Sequence, residues 1–220
     1  MTFPLSPRLA RGGIVLMDPD TSRVLRVIAM QYNPDTLTRT IQAQGVGGEG
    51  GDRLEALRLK GPPNETLKVE VEIDATDQLE QPTGPGGDQA TKLGISPQLA
   101  VLETLVYPSS GAVAAADAEA GSGSLEVAPL EAPLTLFVWS RQRIVPVRIT
   151  EFSVTEEAFD SLLNPIRAKV SLGMRVLTTT DLGLSHKGGA IYFAHHQLKE
   201  RLAAMAAAGQ LSNLGVQALP

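Results

Sequence analysis

The sequence predicts a mainly β protein with some α-helix, built as an antiparallel β-sandwich or barrel. Residues 67–75 and 166–177 alternate apolar with charged or small residues at a strict period of two, which is typical of strands with one buried face. The chain also carries 21 Gly and 15 Pro residues, which favour many short strands joined by turns. One-sided alternation of this kind is the pattern of antiparallel rather than parallel sheets.

Shorter β-branched and aromatic runs predict further strands at 13–17, 24–32, 37–44, 134–139, 143–150 and 151–155, with a hairpin turn at 140–143. Pro146 has no amide hydrogen, so its strand should lie at a sheet edge or carry a bulge there. Two helices are predicted. One is capped by Ser96, with Pro97 as its first residue, and the other spans residues 189–208 and stops at Gly209.

These elements predict one β domain at residues 1–180 and a C-terminal helical extension at 181–220. Long loop insertions interrupt the domain at residues 45–66, 81–94 and 109–133. The last insertion is rich in small residues and contains four acidic residues but no Lys or Arg. We therefore expect it to be a mobile loop in the isolated subunit.

The composition excludes several classes of protein. A net charge of −5 argues against a nucleic-acid binder, and the absence of Cys excludes a disulfide scaffold, a thiolate zinc site and a Cys nucleophile. No apolar run approaches the roughly 20 residues that span a bilayer, so no direct membrane insertion is expected. The first residues do not resemble a signal peptide. We expect the protein to be synthesised in the cytoplasm and to leave the cytoplasm only as part of a larger particle.

The residues predict no catalytic site, no cofactor and no metal site, so we do not expect an enzyme. The three histidines lack the spacing of a zinc motif, and His195 is expected at a semi-buried helix position. No G-x-S-x-G nucleophile elbow occurs. The Gly-rich segment 45–51 contains no phosphate-loop lysine, and Glu49 within it and Asp52 directly after it would repel phosphate.

A charge pattern on the two long strands predicts a contact between subunits. The polar face of the first strand is mainly acidic and that of the second is basic: Glu70, Glu72 and Asp74 against Arg167, Lys169 and Arg175. The faces are either independently solvated or meet between neighbouring subunits of a ring, where complementary charge sets the register. In the second case, reversing Arg167 and Arg175 to Glu should abolish the ring and leave the monomer folded.

Several segments resemble the tube-protein domain of contractile injection systems, the phage-tail-like machines that drive a rigid tube through a contracting sheath. The motifs Y-N-P, G-P-P-x-E, L-F-V-W, P-V-R-I-T and F-D-x-x-L-N-P-I-R-A occur in this order within residues 30–37, 60–80 and 133–177. The combination covers roughly residues 24–177 and is more specific than any single motif.

The resemblance is to baseplate tube-adaptor subunits, which often carry a LysM module after this domain. It implies a non-catalytic protein that forms a homohexameric ring between the trimeric spike and the first layers of inner tube. Its partners would be further copies of itself, the spike, and the inner-tube and baseplate or sheath proteins. This chain departs from the pattern in lacking LysM and in having Ser140 where the family often has Gly. The helix at 189–208 could take the place of LysM.

Two alternatives remain open at this point. The chain could be an inner-tube building block of the same machine, although a C-terminal helix would have to fit into every repeated layer. From another class, it could be a β-sandwich that binds a small ligand or a carbohydrate, with Trp139 as the aromatic platform.

Overall fold

The structure, a computed structural model, describes residues 10–45, 57–121, 132–207, 209–214 and 216. Within these ranges the strands are β1 (Gly13–Met17), β2 (Val24–Ala29), β3 (Leu37–Gln42), β4 (Asn64–Asp74), β5 (Leu134–Ser140), β6 (Arg143–Phe159) and β7 (Pro165–Val176). The helices are α1 (Thr76–Glu80), α2 (Gly87–Leu93), α3 (Ser96–Glu103), α4 (Ser110–Gly121), α5 (Thr179–Leu182) and α6 (Lys187–Met205), with a 3-10 helix at Leu211–Leu214.

The seven strands form one antiparallel sheet in the order β2-β1-β5-β6-β7-β4-β3. Strand β6 is 17 residues long and changes partner along its length. Its residues 143–146 pair with β5, and its residues 147–159 pair with β7. β6 thus joins two half-sheets, β2-β1-β5-β6 and β6-β7-β4-β3.

The half-sheets fold over each other. The edge strands β2 and β3 are six positions apart in the strand order but are joined by residues 30–36 alone. Just after β2, the Gln31 side chain donates to the carbonyl of Asp74 at 2.7 Å and accepts from its amide at 3.0 Å. Ile14 of β1 and Leu172 of β7 line one cavity. The predicted fold class, antiparallel β with added helices, is confirmed.

The core lies between these layers and follows the predicted period of two. The alternate residues of the two long strands are almost completely buried: Leu67, Val69, Val71 and Ile73 of β4, and Ala168, Val170, Leu172, Met174 and Val176 of β7. Burying each large aliphatic side chain stabilises the fold by about 1.5 to 3 kcal/mol. α3 closes one side of the core with Leu99 and Leu102.

The two separate strands predicted at 143–150 and 151–155 are parts of the single strand β6. A register shift in the pairing of β6 with β7 between Ile149 and Glu151 explains why the sequence alternation breaks there. Pro146 lies in an interior strand, contrary to expectation, and without a bulge at that residue. Its carbonyl accepts from Leu177, one residue beyond the end of β7, so its missing amide hydrogen falls just outside the ladder.

The predicted loops at 81–94 and 109–133 contain helices. α2 lies in the first, and α4 occupies residues 110–121 of the second, whose Ala-rich composition favours helix. α4 buries none of its residues, and residues 122–131 lie outside the described ranges. The predicted loop 45–66 ends earlier because β4 begins at Asn64, and residues 46–56 are likewise outside those ranges.

Helix ends differ from the predictions by a few residues. The N-cap of α3 is Ile95 instead of Ser96, and no side chain caps it. α6 begins at Lys187, where the His186 side chain accepts a hydrogen bond from the amide of Gly188. It ends at Met205, with Ala206 as C-cap in an extended conformation, so Gly209 is not its stop signal.

Gly94 permits the close contact that joins α2 and α3 to β7. Its φ is 57°, and a Cβ placed there would lie 2.1 Å from the carbonyl oxygen of Pro165. That same oxygen accepts a hydrogen bond from the amide of Ile95. A side chain at this position therefore strains the backbone and also disrupts the contact.

We predict that Gly94→Ala lowers the free energy of unfolding by about 2 to 4 kcal/mol, measured by urea denaturation. Gly111→Ala is the matched control, because no atom lies within 4 Å of a Cβ added to this α4 residue. It should leave stability unchanged or raise it by up to about 1 kcal/mol. Equal effects of the two substitutions would contradict this account of Gly94.

Candidate functional site

The charged residues predicted to form a subunit contact share one face, because β4 and β7 are neighbouring strands. Their pairing sets Glu72 opposite Lys169 and Asp74 opposite Arg167. The Arg167 guanidinium donates through Nε to Asp74 at 2.8 Å and lies 3.8 Å from the carboxylate of Glu72. The acidic and basic faces are therefore adjacent parts of one mixed surface within a single chain.

The other predicted contact residues also meet groups of their own chain. Lys169 lies 3.5 Å from Glu157 of β6, and Arg175 pairs with Asp181 of α5 at 2.6 Å. Glu70 stands opposite Ser171. A contact of this surface with another subunit stays a prediction. Reversing the charge of Arg167 and Arg175 would break internal pairs as well, so that experiment does not isolate a ring contact.

Asp74 is the best anchored of these residues. Burial by itself would raise the pKa of its carboxyl, but hydrogen bonds from Thr76 and Arg167, together with the charge of Arg167, hold that pKa below the usual range. The side chain of Arg167 is 43% exposed, so solvent screens the ion pair and its contribution to stability is small. The pairing orients the strand ends more than it stabilises the fold.

A second charged cluster, the Glu65 cluster, holds α6 against the sheet. Glu65 of β4 is 4% exposed. Its carboxylate accepts from Arg39 of β3 at 2.8 Å and from Lys199 of α6 at 3.0 Å. Burial would raise the pKa of Glu65, but Lys199 and Arg39 outweigh it and lower that pKa. The carboxylate therefore stays ionised and ties β3 and α6 to β4.

Sequence reasoning missed the Glu65 cluster, although a signal was present. Glu65 continues the period-two series of Leu67, Val69 and Val71, so it lies on the buried face of β4. An acidic residue in such a series requires a cationic partner. The sequence does not say which cation supplies it, because Lys199 is 134 residues away along the chain.

α6 packs on the sheet through a face that includes His195, which was expected to be semi-buried and is 8% exposed. Burial and then the charge of Lys199 lower the pKa of His195, so its imidazole is neutral at pH 7. Tyr192, one turn earlier, is also buried, and burial and then the charge of Glu65 raise its pKa. The last turn of α6 leaves the face of the sheet, and Met205 is 79% exposed.

Two edges of the half-sheet β6-β7-β4-β3 have no strand partner among the described residues. One is the outer side of β3, and the other is the side of β6 beyond Pro146, where pairing with β5 stops. Neither β3 nor residues 147–159 contain Pro or Lys, which commonly block strand addition at an edge. The register shift between Ile149 and Glu151 and the charged residues of β6 restrict pairing on that side. The outer side of β3 and the part of β6 after Glu151 are therefore the candidate edges for pairing with another chain.

The β6–β7 hairpin ends in a rigid turn with apolar side chains. Asp160 accepts hydrogen bonds from the amides of Leu162 and Asn164 and from the Asn164 side chain, which together lower the pKa of its carboxyl. Phe159, Leu162 and Leu163 around this turn are 49%, 75% and 79% exposed. We call these three residues the hairpin tip; exposed apolar groups on an ordered turn are typical of a protein contact.

Trp139 does not form an exposed platform. Its ring stacks on that of Phe137, with centroids 5.9 Å apart, and lies against Gly12. Among the described residues, no group of three or more His, Asp or Glu side chains is arranged to hold a metal ion. No helix in the described ranges has both the length and the apolar character needed to cross a membrane.

No protein-family model matches the chain, and neither does any curated protein. Among solved structures, a chain from the tail of an empty gene transfer agent particle with C6 symmetry is similar. The two chains are 13% identical, the likeness covers 76% of this chain and 90% of that one, and the TM-score is 0.30.

We predict that Glu65→Gln lowers the free energy of unfolding by about 1 to 3 kcal/mol at pH 7, because Arg39 and Lys199 lose the charge they surround. The stabilisation is complete above the pKa of an unfolded Glu, about 4.3, and is lost as the pH falls through the lower folded pKa. Urea denaturation of both proteins between pH 7 and pH 3 should therefore show the difference shrinking in acid.

Glu70→Gln is the matched control, since Glu70 is an exposed residue of the same strand opposite Ser171. It should change stability by less than about 0.5 kcal/mol at any of these pH values. A Glu65 variant as stable as the Glu70 variant would contradict the role given to the Glu65 cluster.

Proposed function

We propose that this protein is a structural subunit of a phage-tail-like contractile injection system, without catalytic activity. It forms a sixfold ring in the baseplate that adapts the trimeric spike to the hexameric inner tube. The sequence resemblance over residues 24–177 supports this assignment. The structural observation that carries it is the pair of unpartnered edges, β3 and residues 147–159 of β6, on opposite sides of one half-sheet.

Opposite edges suit head-to-tail assembly. When β3 of one copy adds to β6 of the next, each contact uses two different surfaces and leaves both available at the ends of the row. Such a row closes into a ring when the rotation that relates neighbouring copies is 360° divided by a whole number. Backbone hydrogen bonds supply the contact, so it needs few large apolar side chains.

The remaining exposed apolar groups suit contacts with other components. The hairpin tip extends beyond the sheet at the turn between β6 and β7, and β2 exposes Val24, Leu25 and Val27 by 49%, 51% and 64%. The end of α6 exposes Leu202 and Met205. We assign these surfaces to contacts with the spike, the adjoining tube layer and the surrounding baseplate.

An inner-tube building block is the second candidate. The same two edges support it, and α6 packs against its own sheet, so the helix is a smaller obstacle to stacking than its position in the sequence suggests. The two functions differ in copy number. An adaptor ring contributes one hexamer to each particle, whereas a tube protein contributes a hexamer for every layer.

The absence of Cys allows a direct test of edge pairing. We predict that Thr40→Cys, on β3, forms disulfide-linked multimers when combined with Ser153→Cys or Thr155→Cys on β6. Directly opposed residues of paired strands are about 4.5 to 5.5 Å apart between Cα atoms, which a disulfide can bridge. After oxidation in cells that produce the particle, non-reducing gels should show a ladder that ends at the hexamer.

Each single Cys variant should give no species larger than a dimer, because a ladder needs both edges. Thr40→Cys combined with Thr21→Cys is the matched control, since Thr21 is an exposed residue of the turn between β1 and β2. The proposal fails when neither β6 position gives a ladder, or when the control pair gives the same one.

A further inference from the structure

We propose that the cavity between α6 and the β5–β6 hairpin is a binding site for an oxyanion, a phosphate or carboxylate group held by Arg39, Arg143 and Lys199. The site shares Arg39 with β3, and its other residues lie on the β5–β6 hairpin and α6, away from the hairpin tip and from residues 147–159 of β6. Anion binding goes beyond the proposed function, because it can be measured on the isolated chain without ring formation.

The cavity has a volume of about 360 Å³ and combines cationic and hydrogen-bonding side chains. Arg39, Arg143 and Lys199 line it, together with His195, Ser140 and Gln142. Trp139 and Leu198 contribute apolar wall. A space of this size holds a phosphate group with several waters, since a water molecule occupies about 30 Å³.

The charges around the cavity do not balance. Arg39 and Lys199 share the single carboxylate of Glu65, and Arg143 adds a third positive charge. The neutral imidazole of His195 adds none. Three cations thus surround one carboxylate, and the excess positive charge attracts anions.

Among the three cations of the cavity, Arg143 is the one without an anionic partner in the described ranges. Its side chain is half-buried and makes no hydrogen bond or ion pair with any residue in the described ranges. Burial and the charge of Arg39 both lower the pKa of its guanidinium, and only Glu65 opposes them. Water can accept from the N–H groups of this side chain, but only an anion would also offset the repulsion between Arg143 and Arg39.

His195 gives a second, independent sign. Its Nδ1 is buried and has no hydrogen-bond partner, although the residue is more than nine-tenths buried and lines the same cavity. The imidazole also has a hydrogen bond with the backbone of Gln142, which uses the single N–H of the neutral ring. Nδ1 donates to an oxyanion when the ring is protonated, a form that a bound anion stabilises. The Ser140 hydroxyl, which accepts from the amide of Gln142, retains its own hydrogen for donation.

These donors specify the chemistry of the ligand. Planar guanidinium groups hold two oxygens of a phosphate or carboxylate at once, and a Lys ammonium adds a point charge. A cation would be repelled, and an apolar ligand would leave Arg143 and His195 unpaired. The oxyanion can come from a free ion or from an acidic side chain of a second copy.

The test is titration of the purified protein with inorganic phosphate at constant ionic strength, followed by calorimetry and by the melting temperature. We expect saturable binding that raises the melting temperature. Arg143→Gln should weaken binding about tenfold or more, as the loss of charge-assisted hydrogen bonds predicts. Arg148→Gln, an exposed Arg of the same strand, should bind phosphate as the unsubstituted protein does.

Further measurements separate a loss of anion binding from a loss of folding and identify the source of the anion. Without phosphate, Arg143→Gln should melt at the same or a higher temperature than the unsubstituted protein, because it removes repulsion from Arg39. Should that variant fail to fold, Arg143→Lys keeps the charge, loses the planar fork and should bind several-fold more weakly. Sedimentation with and without phosphate identifies the source: dissociation of a self-associated form by phosphate indicates the side chain of a second copy, and an unchanged mass indicates a free anion.

The proposal is overturned when neither phosphate nor acetate binds and phosphate does not alter self-association. It is also overturned when Arg143→Gln and Arg148→Gln bind phosphate equally. In both cases the excess charge around the cavity would have no ligand.

Discussion

The fold depends on the double use of strand β6. Residues 143–146 complete one half-sheet and residues 147–159 begin the other, so a single 17-residue strand joins the two layers that enclose the core. Because β5 stops pairing at Pro146, the rest of β6 has one strand partner and one free edge within the part of the chain that the structure describes. The feature that closes the core of the subunit is therefore the same feature that leaves an edge open for assembly.

The C-terminal helix belongs to the same structural unit. Tyr192 enters the main hydrophobic cluster, and the ion pair of Lys199 with Glu65 joins α6 to the middle of the second half-sheet. The surfaces available for partners are thus the sheet edges, the hairpin tip and the final turn of α6. The mixed charges on β4 and β7 largely neutralise each other within the chain, which makes them a weaker basis for subunit recognition than the backbone edges.

Sequence patterns predicted the strands well because a half-buried strand has a local signature. The alternation of residues 67–75 and 166–177 located β4 and β7 to within three residues at each end. Patterns failed where long-range packing decides the structure. α2 depends on the contact of Gly94 with Pro165, and the partners of Glu65 come from β3 and α6. The sequence predicts an acidic face on one long strand and a basic face on the other, because it does not show which strands are neighbours. In the structure β4 pairs with β7, so the two sets of charges lie on one surface.

We propose that copies of this chain join head to tail through β3 and the free edge of β6. The most direct measurement is electron cryo-microscopy of the intact particle at a resolution that separates strands. We predict a single ring of six copies next to the spike, in which β3 of each copy lies about 4.8 Å from β6 of its neighbour. A ring, or any other assembly, in which both edges face solvent would contradict the account.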